Sequence, residues 1–300
     1  MKPDSALANK IDSKEFIVTA EYLPRSGAAA QIVEDCARIF KNGPVAVNVS
    51  DNHYGVAMSS LAASVILGRA GIEPVYQVVT RDRNRIALQS DLLGAAALGI
   101  KNVLCLSGYH QVLTGCPESA NVFDIDSIQL LATVKKMSCE GLLLDGTKIE
   151  GAFSMLAGAA ANPFLKPLEL NIMRLKKKVK AGADFIQTQA VFDIEEFQRW
   201  LEIARSEGLT EKVAILAGVL PLTGAAEARK LNETFTDFSI PDEIIARLQS
   251  AGSDEAQLKE GIAICAGIIR QLKGLPGLRG IHIFSGGNET VVPGIIGAVI

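Results

Sequence analysis

Short runs of apolar, often β-branched residues recur along the 300-residue chain, most of them followed by a longer stretch with helical spacing. The runs predict eight strands, at 16–21, 45–50, 73–80, 102–106, 155–161, 184–189, 213–217 and 280–284. Several are apolar at successive positions, as expected of parallel strands buried on both faces. Helical patterns fill 83–98, 128–137, 168–181, 194–207, 225–234, 241–251 and 254–272. In 83–98, for example, Ile86, Leu88, Leu92, Leu93 and Ala96 recur at near-helical spacing. Asp126 or Ser127 suits the N-cap of 128–137, and Gly182 the C-cap of 168–181. Pro241 suits the start of 241–251, and Ser253 the N-cap of 254–272. The stretch 141–153 reads as a hairpin or an active-site loop.

Strands alternating with helices are the signature of βα units. Eight such units either close into a barrel or form an open doubly wound sheet. A dinucleotide-binding open sheet favours Gly-x-Gly-x-x-Gly after an early strand, and the chain has none. The expected fold is therefore α/β, a single (β/α)8 TIM barrel over 1–300, with 1–14 as an N-terminal extension and 291–300 as an apolar, exposed C-terminal tail.

Composition narrows the classes of partner. At 48% hydrophobic, the chain can bury a large core. A net charge of −3 with both signs interspersed gives no reason to expect nucleic acid or an anionic membrane. The five cysteines, Cys36, Cys105, Cys116, Cys139 and Cys265, lack zinc-finger or redox spacing, so no metal site and a reducing compartment are expected. The tail is too short to span a bilayer, and no apolar stretch follows the N-terminus, which together indicate a cytoplasmic protein without membrane insertion.

In a (β/α)8 barrel, chemistry gathers at the C-terminal strand ends. Glu21 ends the first strand among apolar neighbours, where desolvation disfavours its charged form and makes it a general-acid candidate. The alternative is an ion pair with Arg25 or Arg81. Gln187 and Gln189 share one face of the sixth strand and need partners, from a heterocyclic ligand, each other or buried water. His282, between Ile281 and Ile283, reads as a satisfied core group, and Asp51 with His53 as a loop hydrogen bond. Tyr109 and Phe284 either stack on a flat ring or pack. Gly158, Gly182, Gly218, Gly286 and Gly287 suit either close approach to a phosphate or ordinary loops.

Several segments resemble the methylenetetrahydrofolate reductase family. The most specific is Lys178-Val179-Lys180-Ala181-Gly182-Ala183-Asp184-Phe185-Ile186-Gln187-Thr188-Gln189, followed by Ala190-Val191-Phe192-Asp193. Ala20-Glu21-Tyr22-Leu23-Pro24, Gly218-Val219-Leu220-Pro221 and Ile281-His282-Ile283-Phe284 occur in the family's order, as does the fourth strand ending in Ser107-Gly108. The resemblance spans roughly 15–290, and the segments 77–85 and 159–164 look closest to the branch of anaerobes using the acetyl-CoA pathway.

That resemblance implies a flavin, usually FAD, at the C-terminal face of the barrel. It implies reduction of 5,10-methylenetetrahydrofolate to 5-methyltetrahydrofolate, with NAD(P)H or reduced ferredoxin as electron source, the latter through an iron–sulfur and zinc partner subunit. It implies Glu21 as the acid. Gln189 would bond the pterin, and Leu220, Phe284 and Tyr109 would contact substrate. Ser50, Gln77, Ser107, Gly108, Tyr109, Ala160, Asn162 and Lys178 would hold the flavin, Lys178 near its phosphate–ribose arm. Tyr109 stands where the family usually has Asp, which removes a negative charge beside the flavin and a partner for the pterin. Asn162 replaces the usual Tyr of the fifth loop, so FMN stands beside FAD as an alternative. Two other readings remain open: an altered or accessory subunit of a one-carbon complex, and a flavin-free folate-binding methyltransferase barrel. An oligomer is expected.

Overall fold

The structure, a computed structural model, describes residues 2–234 and 239–299. Met1 and Ile300, the outer ends of the expected extension and tail, lie outside the described residues. Eight parallel strands close into a barrel in sequence order: β1 (Ile17–Tyr22), β2 (Ala46–Val49), β3 (Pro74–Val79), β4 (Asn102–Leu106), β5 (Leu156–Ala161), β6 (Phe185–Ala190), β7 (Ala214–Val219) and β8 (Leu278–Ile283). The first and last strands seal it, with Thr19 beside His282 and Ala20 beside Ile283. Every expected strand is present, displaced at its ends by three residues or fewer.

The helices are α1 (Ala6–Asp12), α2 (Ala30–Phe40), α3 (Ser60–Arg69), α4 (Arg85–Ala97), α5 (Ser127–Glu140), α6 (Leu168–Ala181), α7 (Ile194–Ser206), α8 (Ala225–Thr234), α9 (Asp242–Ser250), α10 (Asp254–Leu272) and α11 (Val291–Val299). Local chemistry sets their ends. Asp126 and Gln129 form a reciprocal capping box on α5, Ser253 caps α10, and Gly182 ends α6 in the left-handed conformation. Residues 142–148 make a short antiparallel bridge, the hairpin alternative for that stretch.

Two stretches differ from expectation. The 1–14 segment carries α1, which closes the N-terminal end of the barrel. Ser5 caps it, the Glu73 carboxylate accepts from the Ala6 and Leu7 N–H groups, and Leu7 is buried with Ile17, Val75, Phe185 and Leu216. The apolar tail is also no exposed strap. It forms α11, packed on α10 and α2, with Val291, Val292 and Ile295 buried. Each such side chain contributes roughly 1.5–3 kcal/mol by leaving water. Hydrophobicity alone could not distinguish a covered helix from a partner-facing one.

Side chains alternate inward and outward along each strand. On β1, Ala20 and Tyr22 join the core between sheet and helices, while Thr19 and Glu21 point into the barrel. The same alternation sends Asn48, Gln77, Leu104, Gln187 and His282 inward, and these residues set the floor and walls of the site.

Candidate active site

A polar layer crosses the barrel beneath its C-terminal mouth. Asn48 Nδ2 donates to Gln187 Oε1 at 2.6 Å, and Gln187 Nε2 returns a bond to Asn48 Oδ1 at 3.1 Å. Gln187 Nε2 also lies 3.2 Å from Thr19 Oγ1, which sits 2.9 Å from His282 Nδ1. Gln187 therefore bonds Asn48 rather than Gln189. Burial drives the His282 pKa down to about 3, so the ring is neutral, and it meets Phe284 edge-on at 4.8 Å. His282 is a satisfied core group, as expected, but it also lines the cleft above.

That cleft has a volume of about 240 Å³. It brings together nine of the expected residues: Glu21, Ser50, Gln77, Ser107, Gly108, Tyr109, Ala160, Gln189 and Phe284. A second cleft of about 440 Å³ adjoins it, sharing Ser50 and His53. Together they reach the size usual for small-molecule sites, ~300–1,000 Å³. Leu104, Leu106, Val79 and Ala160 give the inner cleft an apolar wall. Gln77 is buried on β3 and brings a polar amide to that wall. Gly108 has φ +83°, and a Cβ there would lie 3.2 Å from Arg81 Cβ and 3.3 Å from Val79 Cβ. Only glycine lets the backbone run this close to the wall.

Glu21 is 6% exposed and makes no ion pair among the described residues. The Arg81 guanidinium is committed to Asp82, to the Asn52 carbonyl at 3.0 Å and to the Tyr109 carbonyl at 3.3 Å, so the ion-pair alternative for Glu21 is not realised. Burial raises the Glu21 pKa to about 7. The Ser285 N–H, 3.3 Å from Oε2, and the Gly286 N–H oppose that rise, while the charge of Glu289 adds to it. A carboxyl titrating near neutrality at a cleft wall can deliver a proton at physiological pH.

The other expected residues lie outside the inner lining. The Lys178 ammonium donates to the Ala160 carbonyl, directly behind the wall, and burial lowers its pKa to about 8. Asn162 turns the chain after β5: its side-chain oxygen accepts from the Phe164 N–H at 2.9 Å. Leu220 follows β7 and is partly buried, next to Gly286. Asp51 does not pair with His53. Its two oxygens hold Arg83 at 2.7 and 3.0 Å and accept from the Val79 N–H. Gly158 and Gly218 are packing positions, crowded by the Phe185 ring and the Thr188 carbonyl, and hold no phosphate cradle.

The cleft also contains the strand-end residues His53, Arg81 and Thr188, and the apolar Val79, Leu104 and Leu106, which the sequence did not single out. Burial lowers the His53 pKa to about 4. Glu289, buried and acting on Glu21 by its charge, gave no signal in the sequence because 268 positions separate the two.

The sequence matches the methylenetetrahydrofolate reductase family over residues 6–299. The chain belongs to that family. A Caenorhabditis elegans relative, a probable methylenetetrahydrofolate reductase (NADPH), is 24% identical over 294 residues, covering 93% of this chain and 41% of the nematode protein. The chain thus spans about two fifths of that relative's length. The 5,10-methylenetetrahydrofolate reductase of Salmonella typhimurium is 25% identical over 226 residues, covering 74% of this chain and 69% of that protein. A Clostridium thermocellum protein that binds two copies of 5-methyl-5,6,7,8-tetrahydrofolic acid shares the fold, with a TM-score of 0.67 at 14% identity and 98% coverage of both chains. No helix among the described residues is long and apolar enough to cross a membrane, and no group of three or more His, Cys, Asp or Glu there is placed to hold a metal.

Proposed function

We propose that this family member reduces 5,10-methylenetetrahydrofolate to 5-methyltetrahydrofolate with a flavin, FAD or FMN, held in the inner cleft. The observation that carries the reading is Glu21, a buried carboxyl with a pKa of about 7 at the wall of a ligand-sized cleft.

The residues present fit a flat heterocycle. The apolar wall suits a ring face, the Gln77 amide offers a donor and an acceptor there, and Gly108 lets the backbone lie close against Val79 and Arg81. Ser50, Ser107, Tyr109 and Ala160 complete that wall, Asn162 continues the loop expected to touch the isoalloxazine, and Lys178 stands behind the wall where the resemblance puts the phosphate–ribose arm. An anionic phosphate there would favour the charged form of Lys178. The flavin, when bound, supplies a hydride. Gln189 presents an amide to the pterin, and Phe284 and Leu220 give it apolar contact. Glu21 donates its proton to the ring nitrogen of the folate that must depart, and the five-membered ring opens to an electrophilic iminium. One proton from Glu21 and one hydride then account for the N-methyl product and its restored N–H. NAD(P)H, or reduced ferredoxin through an iron–sulfur and zinc partner subunit, renews the hydride.

The test separates the half-reactions. Glu21→Gln protein should still bind flavin and have it bleached by reductant, while its reoxidation by methylenetetrahydrofolate slows by about 10²–10⁴-fold, the usual worth of a positioned acid. Wild-type protein that binds neither FAD nor FMN sinks the proposal and favours the flavin-free methyltransferase reading. A variant that reoxidises at the wild-type rate removes the acid role.

A further inference from the structure

A second carboxyl group, buried and outside the lining of the cleft, acts on Glu21 by its charge. Glu289 is 4% exposed, sits in the turn between β8 and α11, and makes no ion pair among the described residues. One of its oxygens accepts the Leu23 N–H at 3.2 Å and lies 3.5 Å from the Ser285 hydroxyl. Ser285 Oγ in turn accepts the Gly287 N–H at 3.1 Å, and the Ser285 N–H points at Glu21 at 3.3 Å. One carboxylate thus ties the segment after β1 to the turn after β8, and that turn supplies the N–H groups facing Glu21.

We propose that Glu289 is a positioning residue for Glu21: it fixes the turn of Ser285 to Gly287 against the end of β1 and brings a second negative charge to bear on the acid. The inference rests on the reading of Glu21 as the proton donor. Burial is the largest influence on Glu21, and it would act without Glu289. What Glu289 adds is a like charge, which favours the protonated acid.

The neighbouring titratable groups do not supply that charge. Tyr22 on β1 and Cys36 on α2 are both pushed up to about 12, by burial first and then in part by Glu289, and stay neutral at pH 7. His282 on β8 and His53 after β2 are neutral through burial. Tyr54, also after β2, is raised by burial and by the charge of Glu21 itself. Arg81, after β3, is bound to Asp82, and Arg25, after β1, is exposed and screened by solvent. Glu289 is the buried carboxyl in this set whose influence on Glu21 adds to that of burial.

The test reads Glu21 directly. Carboxyl-carbon NMR of ¹³C-glutamate-labelled protein follows its titration, the signal being assigned by its loss in Glu21→Gln. Glu289→Gln keeps an oxygen for the Leu23 N–H and Ser285 hydroxyl but removes the charge, and it should lower the Glu21 midpoint by about 0.5–1 pH unit. Glu289→Asp, which keeps the charge, should restore most of that shift. A midpoint in Glu289→Gln equal to wild type overturns the electrostatic half of the inference. Ser285→Ala tests the turn, even should Glu289→Gln fail to fold. Loosening the N–H donors should raise the midpoint, and an unchanged midpoint overturns the positioning half. The same charge dependence should appear in the pH profile of folate reduction, with the descending limb moved to lower pH in Glu289→Gln and flavin reduction unaffected. Should Glu21→Gln retain full folate reduction, the acid role fails while the titration result still stands or falls by itself.

Discussion

The cost of keeping an acid ready inside the barrel is measurable without substrate. In the unfolded chain Glu21 has the ordinary value of 4.5, and in the folded protein about 7. The folded state therefore takes up the proton more readily. Its contribution to stability is fully present below pH 4.5, declines as pH rises, and is lost once pH has passed about 7. At 1.36 kcal/mol per pH unit, the gap corresponds to ~3 kcal/mol. Gln cannot titrate, so Glu21→Gln should gain ~2–3 kcal/mol relative to wild type between pH 4 and pH 8.5, whatever constant difference the amide introduces. The other titrating groups are common to both proteins and cancel. Urea unfolding of both proteins at the two pH values gives the number from the change in midpoint at a shared slope. A stability difference that is the same at pH 4 and pH 8.5 would refute the claim that burial holds Glu21 near neutrality, and the proton-donor assignment would lose its physical basis.

Three further outcomes follow from the geometry. Gly108→Ala places a methyl group against Arg81 and Val79 at positive φ; it should cost ~1–3 kcal/mol in urea unfolding and weaken flavin binding in a fluorescence titration. The His282 ring should stay neutral down to about pH 4 in histidine NMR, because its folded pKa is about 3 against an ordinary 6.5. Its share of stability is thus present above pH 6.5 and lost as pH falls toward 3. Ile295→Ala should destabilise by ~2–4 kcal/mol in the same unfolding assay if α11 is a packed helix, and by almost nothing if that segment is an exposed strap.

The barrel was legible because its strands are buried on both faces, which leaves continuous apolar runs such as 102–106 and 213–217 too short for helices and too apolar for loops. Helices α6, α8 and α10 follow the apolar periodicity to the residue. The pattern left α2 and α3 unassigned, although α2 buries Val33, Cys36, Ala37 and Phe40 at helical spacing. In α3, small residues and buried Ser60 and Ser64 blur the two faces. Glu21, Gln189 and Tyr109 could be placed at the cleft because each follows or ends a strand, and strand ends in a barrel share one rim. The pairing of Gln187 with Asn48 and of Asp51 with Arg83 could not be read, because choosing among several polar partners takes three-dimensional distances. Glu289 belongs to the same class: a carboxylate in a glycine-rich turn looks solvated until the turn is folded against β1.

The union of β1 with β8 has a consequence for how the protein matures. Glu21 leaves the ribosome 264 residues ahead of the backbone N–H that grips it, and the strand that seals the wall beside it emerges equally late. A nascent or prematurely stopped chain ending before Ser285 carries the Glu21 carboxyl without the N–H donor and the strand that enclose it, so the raised pKa on which the proposed acid role depends waits on the eighth strand.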